Sequence, residues 1–205
     1  MKKENLKEMD IVFLLDRSGS MGGMEEDTIG GYNSYLKEQK NKKARVTTIL
    51  FDNEYEILHQ REDIKKVKEL TKEEYYVRGC TALLDAIGKT INLMDHEKAK
   101  KVIFIITTDG LENASREFNK DQIKEMIKKH CNWEFMYIGA NIDSYQEGET
   151  IGIKRNNISN YCKSKKGVEK LFSSLGKASE SFYDNACVCA DWKDDLENFI
   201  DDNMN

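Results

Sequence analysis

The sequence predicts a three-layer α/β domain: a doubly wound, Rossmann-like sheet, mostly parallel, with one antiparallel edge strand. Three observations carry that prediction. Short apolar runs alternate with amphipathic helical stretches along most of the 205 residues, the pattern of parallel strands covered by helices on both faces. The runs at 9–15 and 102–106 are almost wholly apolar and stop abruptly at polar and glycine residues, as strands buried on both faces do. Residues 45–58 read as a hairpin turning at Asp52-Asn53, which supplies the antiparallel edge.

In chain order, residues 9–15 form the first strand, interrupted only by Asp10. The next segment opens with Glu25, Glu26 and Asp27 and closes with Lys37, Lys40, Lys42 and Lys43, the charge order that complements a helix dipole. It predicts a helix over 24–40, in which Gly30-Gly31 either weakens the helix or lets a neighbour pack closely. The stretch 44–51, rich in Val, Thr and Ile, is a strand, with 55–58 as its short partner. Thr71 and Glu74 have the spacing of a capping box and predict a single helical turn. Leu83, Leu84, Ile87, Ile91 and Met94 mark a helix from about 82 to 96, with Thr81 at its start, where its bland reading is an N-cap. The most apolar run, 101–107, is the central strand and ends in Thr107-Thr108-Asp109-Gly110. Asn119 and Gln122 form another capping box, starting a helix to Lys129. A strand at 133–138, a short helix at 143–150, a short strand at 156–161 and a last helix at 165–183 complete the domain.

The composition bounds the function. Hydrophobic residues make up 39% and charged residues 34%, enough for a core in a very soluble chain. The net charge of −5 comes from mixed charges, with no basic patch for nucleic acid or an anionic membrane. No apolar run approaches a bilayer-spanning length. Residues 1–8 form a charged lead without the apolar segment of a signal peptide, and the five cysteines are odd in number and scattered, so the expected location is cytoplasmic with free thiols. Proline is absent altogether.

In doubly wound sheets, sites form at the carboxyl ends of strands where the strand order reverses. This sequence sends five oxygen-bearing side chains there: Asp16, Ser18 and Ser20 after the first strand, Thr81 before the second long helix, and Asp109 after the central strand. Each has a bland reading as a turn residue or a helix cap. Their convergence on one edge is what argues for a site. Carboxylates and hydroxyls are hard oxygen ligands, suited to Mg²⁺ or Mn²⁺.

Asp16-Arg17-Ser18-Gly19-Ser20, followed at these distances by Thr81 and Asp109-Gly110, resembles the motif of von Willebrand factor A-type domains. The resemblance covers about 9–183 and leaves 184–205 as an acidic tail, expected to be helical and docked. It implies a metal-ion-dependent adhesion site holding Mg²⁺ or Mn²⁺, with Ser18 and Ser20 bound directly, Thr81 bound when a ligand is engaged, and Asp16 and Asp109 acting directly or through water. It further implies a cytoplasmic, free-standing adaptor of bacterial or phage type that recognises an Asp or Glu on a protein partner. Nucleic acid and membrane are not among the expected partners.

The rival reading is a magnesium-dependent phosphatase or phosphoryl-transfer enzyme on a similar sheet. The phosphatases with a similar opening carry a second Asp two residues after the first, where this chain has Ser18. No Walker-type loop is present. His59, His96 and His130 read as exposed helix- or loop-end residues without a nucleophile elbow nearby. Cys187 and Cys189 lack a second close pair, the methionines read as core filler, and Asp143 with Glu147 reads equally well as a same-face carboxylate pair on a helix or as a solvated face. No catalytic residue is assigned.

Overall fold

A computed structural model describes residues 8–140 and 142–204, so residues 1–7 of the charged lead lie outside the described residues. Six strands form one sheet in the order β3-β2-β1-β4-β5-β6: β1 (Met9–Asp16), β2 (Ala44–Phe51), β3 (Tyr55–Asp63), β4 (Val102–Thr108), β5 (Glu134–Gly139) and β6 (Ile158–Asn160). All pair in parallel except β3, which runs antiparallel to β2 at the edge. The order reverses beside β1, which pairs with both β2 and β4.

Burial follows strand alternation. Ile11, Phe13 and Leu15 of β1 face one core, where α1 (Glu25–Gln39) and α5 (Lys165–Asn185) pack. Val12 and Leu14 face the other, covered by α2 (Leu83–His96) and α3 (Lys120–Lys129). On the first face, Phe13 makes edge-to-face contacts with Tyr32 and Tyr35 at centroid distances of 5.2 and 4.9 Å. Gly31 is required by close packing: a Cβ there would lie 2.2 Å from the Phe172 ring of α5. The glycine pair that weakens α1 is therefore what lets the last helix lie against it.

Several elements differ from the sequence reading. β3 extends to Asp63, well past residue 58, because an edge strand tolerates the polar run Gln60-Arg61-Glu62-Asp63 that breaks the apolar pattern. His59 is consequently buried within β3 and not exposed at its end. Thr71 and Glu74 do bond each other, but they close an isolated turn. Ala82, not Thr81, occupies the N-cap of α2, and Thr81 makes no capping bond. Asp143 caps α4 (Ser144–Thr150) by accepting the Gln146 N–H, while Glu147 pairs with Lys120, so the two do not act as a pair. The capping box of Asn119 and Gln122 at α3 is complete.

The C-terminal segment packs on the domain. Trp192 and Leu196 are buried in the core beside α5, and the Trp192 indole N–H donates to the Asn156 carbonyl at 2.9 Å. α6 (Asp194–Met204) takes part in this contact through Leu196, and Asp195 pairs with Lys177 of α5. All five cysteines are free thiols. Among the described residues, no helix is long and apolar enough to cross a membrane.

Candidate metal site at the switch point

β1 and β4 are adjacent, so their carboxyl ends bring Asp16 and Asp109 to the same point of the rim, where the strand order reverses. Asp16 is fully buried. One of its carboxylate oxygens accepts the Ser18 N–H at 2.7 Å, and the other accepts the Thr108 hydroxyl at 2.5 Å. Burial raises its pKa to about 6, against the lowering effect of the Thr108 and Ser18 hydrogen bonds. The Tyr75 hydroxyl donates to the Asp16 carbonyl at 2.5 Å and ties down the strand end. Asp16 is thus held by protein donors on both oxygens, which suits support of a metal through water.

The hydroxyls are arranged differently. Ser18 Oγ and Ser20 Oγ lie 3.0 Å apart. A Cβ built on Gly110 would lie 2.6 Å from Thr81 Oγ1, 3.0 Å from Ser20 Oγ and 3.5 Å from Ser18 Oγ. The three hydroxyls therefore converge on a space that only glycine at position 110 leaves open. Asp109 sits at its edge, with Oδ1 buried and without a hydrogen-bond partner. Ser20 is exposed, so the cradle opens to solvent.

Thr81 is positioned by the loop after β4. Its N–H donates to the Asn113 side chain at 3.0 Å, and its carbonyl accepts from the N–H groups of Asn113 and Ala114. That loop is in turn tied to α2. Asp85 accepts the N–H groups of Arg116, Glu117 and Phe118, each at 2.9 Å. Burial works to raise the Asp85 pKa, but these three bonds hold it below the usual carboxylate range. Glu112 accepts the Leu84 N–H at the start of α2.

These residues fit a hard divalent cation. The set is three hydroxyls and two carboxylates, with no His or Cys, and the described residues contain no group of three or more His, Cys, Asp or Glu placed to hold a metal. Octahedral Mg²⁺ with bonds of about 2.0–2.1 Å sets neighbouring ligand oxygens roughly 2.9–3.0 Å apart. The Ser18–Ser20 spacing of 3.0 Å already matches that separation. The orphaned Asp109 oxygen supplies the partnerless buried acceptor that such an ion would satisfy.

The five residues picked from sequence all lie on this rim. Three further residues reach this rim without a sequence motif of their own. Thr108 reads in sequence only as part of the polar strand end Thr107-Thr108-Asp109. Asn113 lies in a loop of no recognisable motif. Lys163, in the connection between β6 and α5, places Nζ 2.8 Å from Asp109 Oδ2, and its one sequence signal is a position after the carboxyl end of a strand.

A doubly wound sheet with an oxygen-lined cradle at its switch point defines a class of ligand-binding domain. Residues 11–112 match the family model of the von Willebrand factor type A domain, a span holding all five rim residues, and the chain belongs to that family. Solved structures share the fold at low sequence identity. The PilB minor pilin of Streptococcus sanguinis aligns at a TM-score of 0.65 and 11% identity, covering 90% of this chain and 63% of that one. Proximal thread matrix protein 1 of the mussel byssus, solved with a zinc-occupied metal-ion-dependent adhesion site, aligns at 0.61 and 16%, covering 84% and 46%. The ArnB paralog VWA2 of Sulfolobus acidocaldarius aligns at 0.60 and 19%, covering 83% and 44%. The ATP synthase gamma chain of Campylobacter lari is 28% identical over 94 residues, 44% of this chain and 32% of that one, a similarity that implies no shared activity. The chain thus spans less than two thirds of each of these proteins.

Proposed function

We propose that this domain is a metal-dependent protein-binding module, in which Asp16, Ser18, Ser20, Thr81 and Asp109 hold Mg²⁺ or Mn²⁺ and the ion receives an Asp or Glu side chain from a partner. The observation that carries this reading is the convergence of three hydroxyls around Gly110 beside an unpartnered buried oxygen of Asp109. Neutral hydroxyls leave much of the ion's charge uncompensated, and that charge is the chemistry the site would supply: attraction for an incoming carboxylate. Hard oxygen donors favour Mg²⁺ or Mn²⁺ over zinc, despite the zinc in the byssus protein.

The surroundings support an apolar neighbour to that acidic residue. Leu111, directly after Gly110, is 55% exposed, and Tyr76, against Arg17 and Arg78 at the same end of the sheet, is 46% exposed. Catalysis finds less support. His130 is engaged with the Met126 carbonyl and Asp95, His59 is buried in β3, and neither meets a serine. The proposed setting is cytoplasmic, where the five free thiols would stay reduced.

The test is capture of a partner by wild type in Mg²⁺, by wild type in EDTA and by Asp109→Ala in Mg²⁺, with phosphatase activity assayed in parallel. Retention by wild type in Mg²⁺ alone is the expected outcome. Retention indifferent to EDTA, or phosphatase turnover lost in Asp109→Ala, would overturn the reading.

A further inference from the structure

We propose that Lys163 is an internal counter-ion of the metal site: its ammonium neutralises the rim when the ion is absent and must withdraw for the ion to bind. This rests on the metal-binding reading above. The segment carrying Lys163 is anchored on both sides. The Tyr161 N–H donates to the Gly139 carbonyl at 2.9 Å, and Ser164 caps α5 by accepting the Gly167 N–H at 3.1 Å. From that fixed base the side chain reaches across the rim to Asp109 Oδ2 at 2.8 Å, and Nζ also donates to the Ser20 carbonyl.

Two features distinguish this from an ordinary surface ion pair. The Asp109 side chain is 1% exposed and that of Lys163 25%, so the pair is shielded from solvent and its attraction is little screened. Its two acceptors also belong to residues that would hold the metal. The ammonium satisfies the site only in part, because Asp109 Oδ1 keeps no donor. A divalent ion at the hydroxyl cradle would be held close to a fixed positive charge, and the two cannot both compensate Asp109 without repelling each other. Lys163 therefore sets a threshold: it protects a buried carboxylate in the metal-free protein and weakens the apparent affinity for the ion. Weak monovalent cations would not displace it, which favours divalent ions.

The experiment compares wild type, Lys163→Met and Lys163→Arg as full chains. Mg²⁺ and Mn²⁺ affinities are read by calorimetry, and melting temperatures are read in EDTA. Removing a charge-assisted contact of this kind corresponds to at least about a tenfold change in an equilibrium constant. Lys163→Met is expected to bind both ions at least about tenfold more tightly than wild type and to melt at a lower temperature in EDTA. Lys163→Arg keeps the charge and is expected to bind no more tightly than wild type. Equal or weaker binding by Lys163→Met overturns the counter-ion role and leaves the metal reading intact. Binding of neither ion by wild type or Lys163→Met overturns both.

Discussion

Asp52 and Asp109 are both buried aspartates just beyond strands that flank β1, and their surroundings differ in kind. Asp52 Oδ2 receives Arg17 Nε at 3.0 Å and Arg78 Nε at 2.8 Å, and its Oδ1 receives the Glu54 N–H at 2.6 Å. Arg17, itself buried, also bonds Glu56 at 2.7 Å and faces the Tyr76 ring. Asp109 has one lysine on one oxygen and nothing on the other. The two aspartates share a residue type, a rim and a degree of burial. What separates them is saturation: a carboxylate whose acceptors are all used holds structure, and one left short of donors holds room for a ligand. Neighbouring residues Asp16 and Arg17 point to the two sides, Asp16 toward Thr108 and Ser18 beside the cradle and Arg17 toward Asp52 and Glu56 with its Nη2 left unpartnered, so saturation separates the two aspartates and not this pair.

The sharpest way to break this comparison is to open the closed side. Asp52→Ala leaves Arg17 buried without its main partner, a change that typically costs about 3–5 kcal/mol. In a chain of this size that corresponds to a fall in melting temperature of roughly 10 °C. The loss should be the same in Mg²⁺ and EDTA, since Asp52 is not in the cradle. A melting temperature restored by Mg²⁺ would place Asp52 in the metal site and collapse the distinction.

Asp85→Ala tests the scaffold between the two regions. It removes three backbone hydrogen bonds to a charged acceptor, and a loss of roughly 3 kcal/mol is expected by chemical denaturation. Because Asp85 is held below its ordinary range when folded, its contribution is present above a pH of about 4 and disappears as pH falls through the folded value. Wild type and Asp85→Ala should therefore converge in stability in acid. A constant difference down to pH 2 would show that the loss comes from packing and not from the carboxylate.

On the open side the expected effects change character. Thr81→Val keeps the shape and the backbone bonds that hold position 81, and it removes one hydroxyl from the cradle. Metal affinity should fall at least about tenfold while stability in EDTA stays within about 1 kcal/mol of wild type. A large loss of stability in EDTA would mean that the hydroxyl is structural, as at the closed network.

Much of this was legible in the sequence because it follows from short-range patterns. The apolar runs of β1 and β4 read directly as buried strands, and the polar residues at their ends marked the rim. β3 reads short in sequence because Gln60 to Asp63 is polar, and edge strands owe their position to a neighbour and not to their own pattern. Thr81 is legible as a rim residue, but sequence alone leaves its bland reading as a helix cap open, and only the fold puts Ala82 at the cap and Thr81 Oγ1 beside Gly110. Lys163 stayed hidden for a similar reason. It lies 54 positions after Asp109 in the chain, and nothing local marks a lysine that only the fold carries to the cradle.

The smallest change expected here concerns what lies around the ion. Leu111→Ser alters a side chain that is 55% exposed and belongs to neither buried core, so stability should stay within about 0.5 kcal/mol of wild type. Metal affinity should also be unchanged, because neither the hydroxyls nor Asp109 loses a contact. Partner affinity, measured on whatever protein the Mg²⁺-dependent capture yields, should fall by about 1–2 kcal/mol if the partner sets an apolar group against Leu111. That dissociation between metal and partner affinity would divide the open side into an ion that attracts any carboxylate and an apolar surface that selects among them. If Leu111→Ser and Thr81→Val weaken partner binding in strict proportion to metal affinity, the ion is the whole of the recognition, and the exposure of Leu111 has no role in binding.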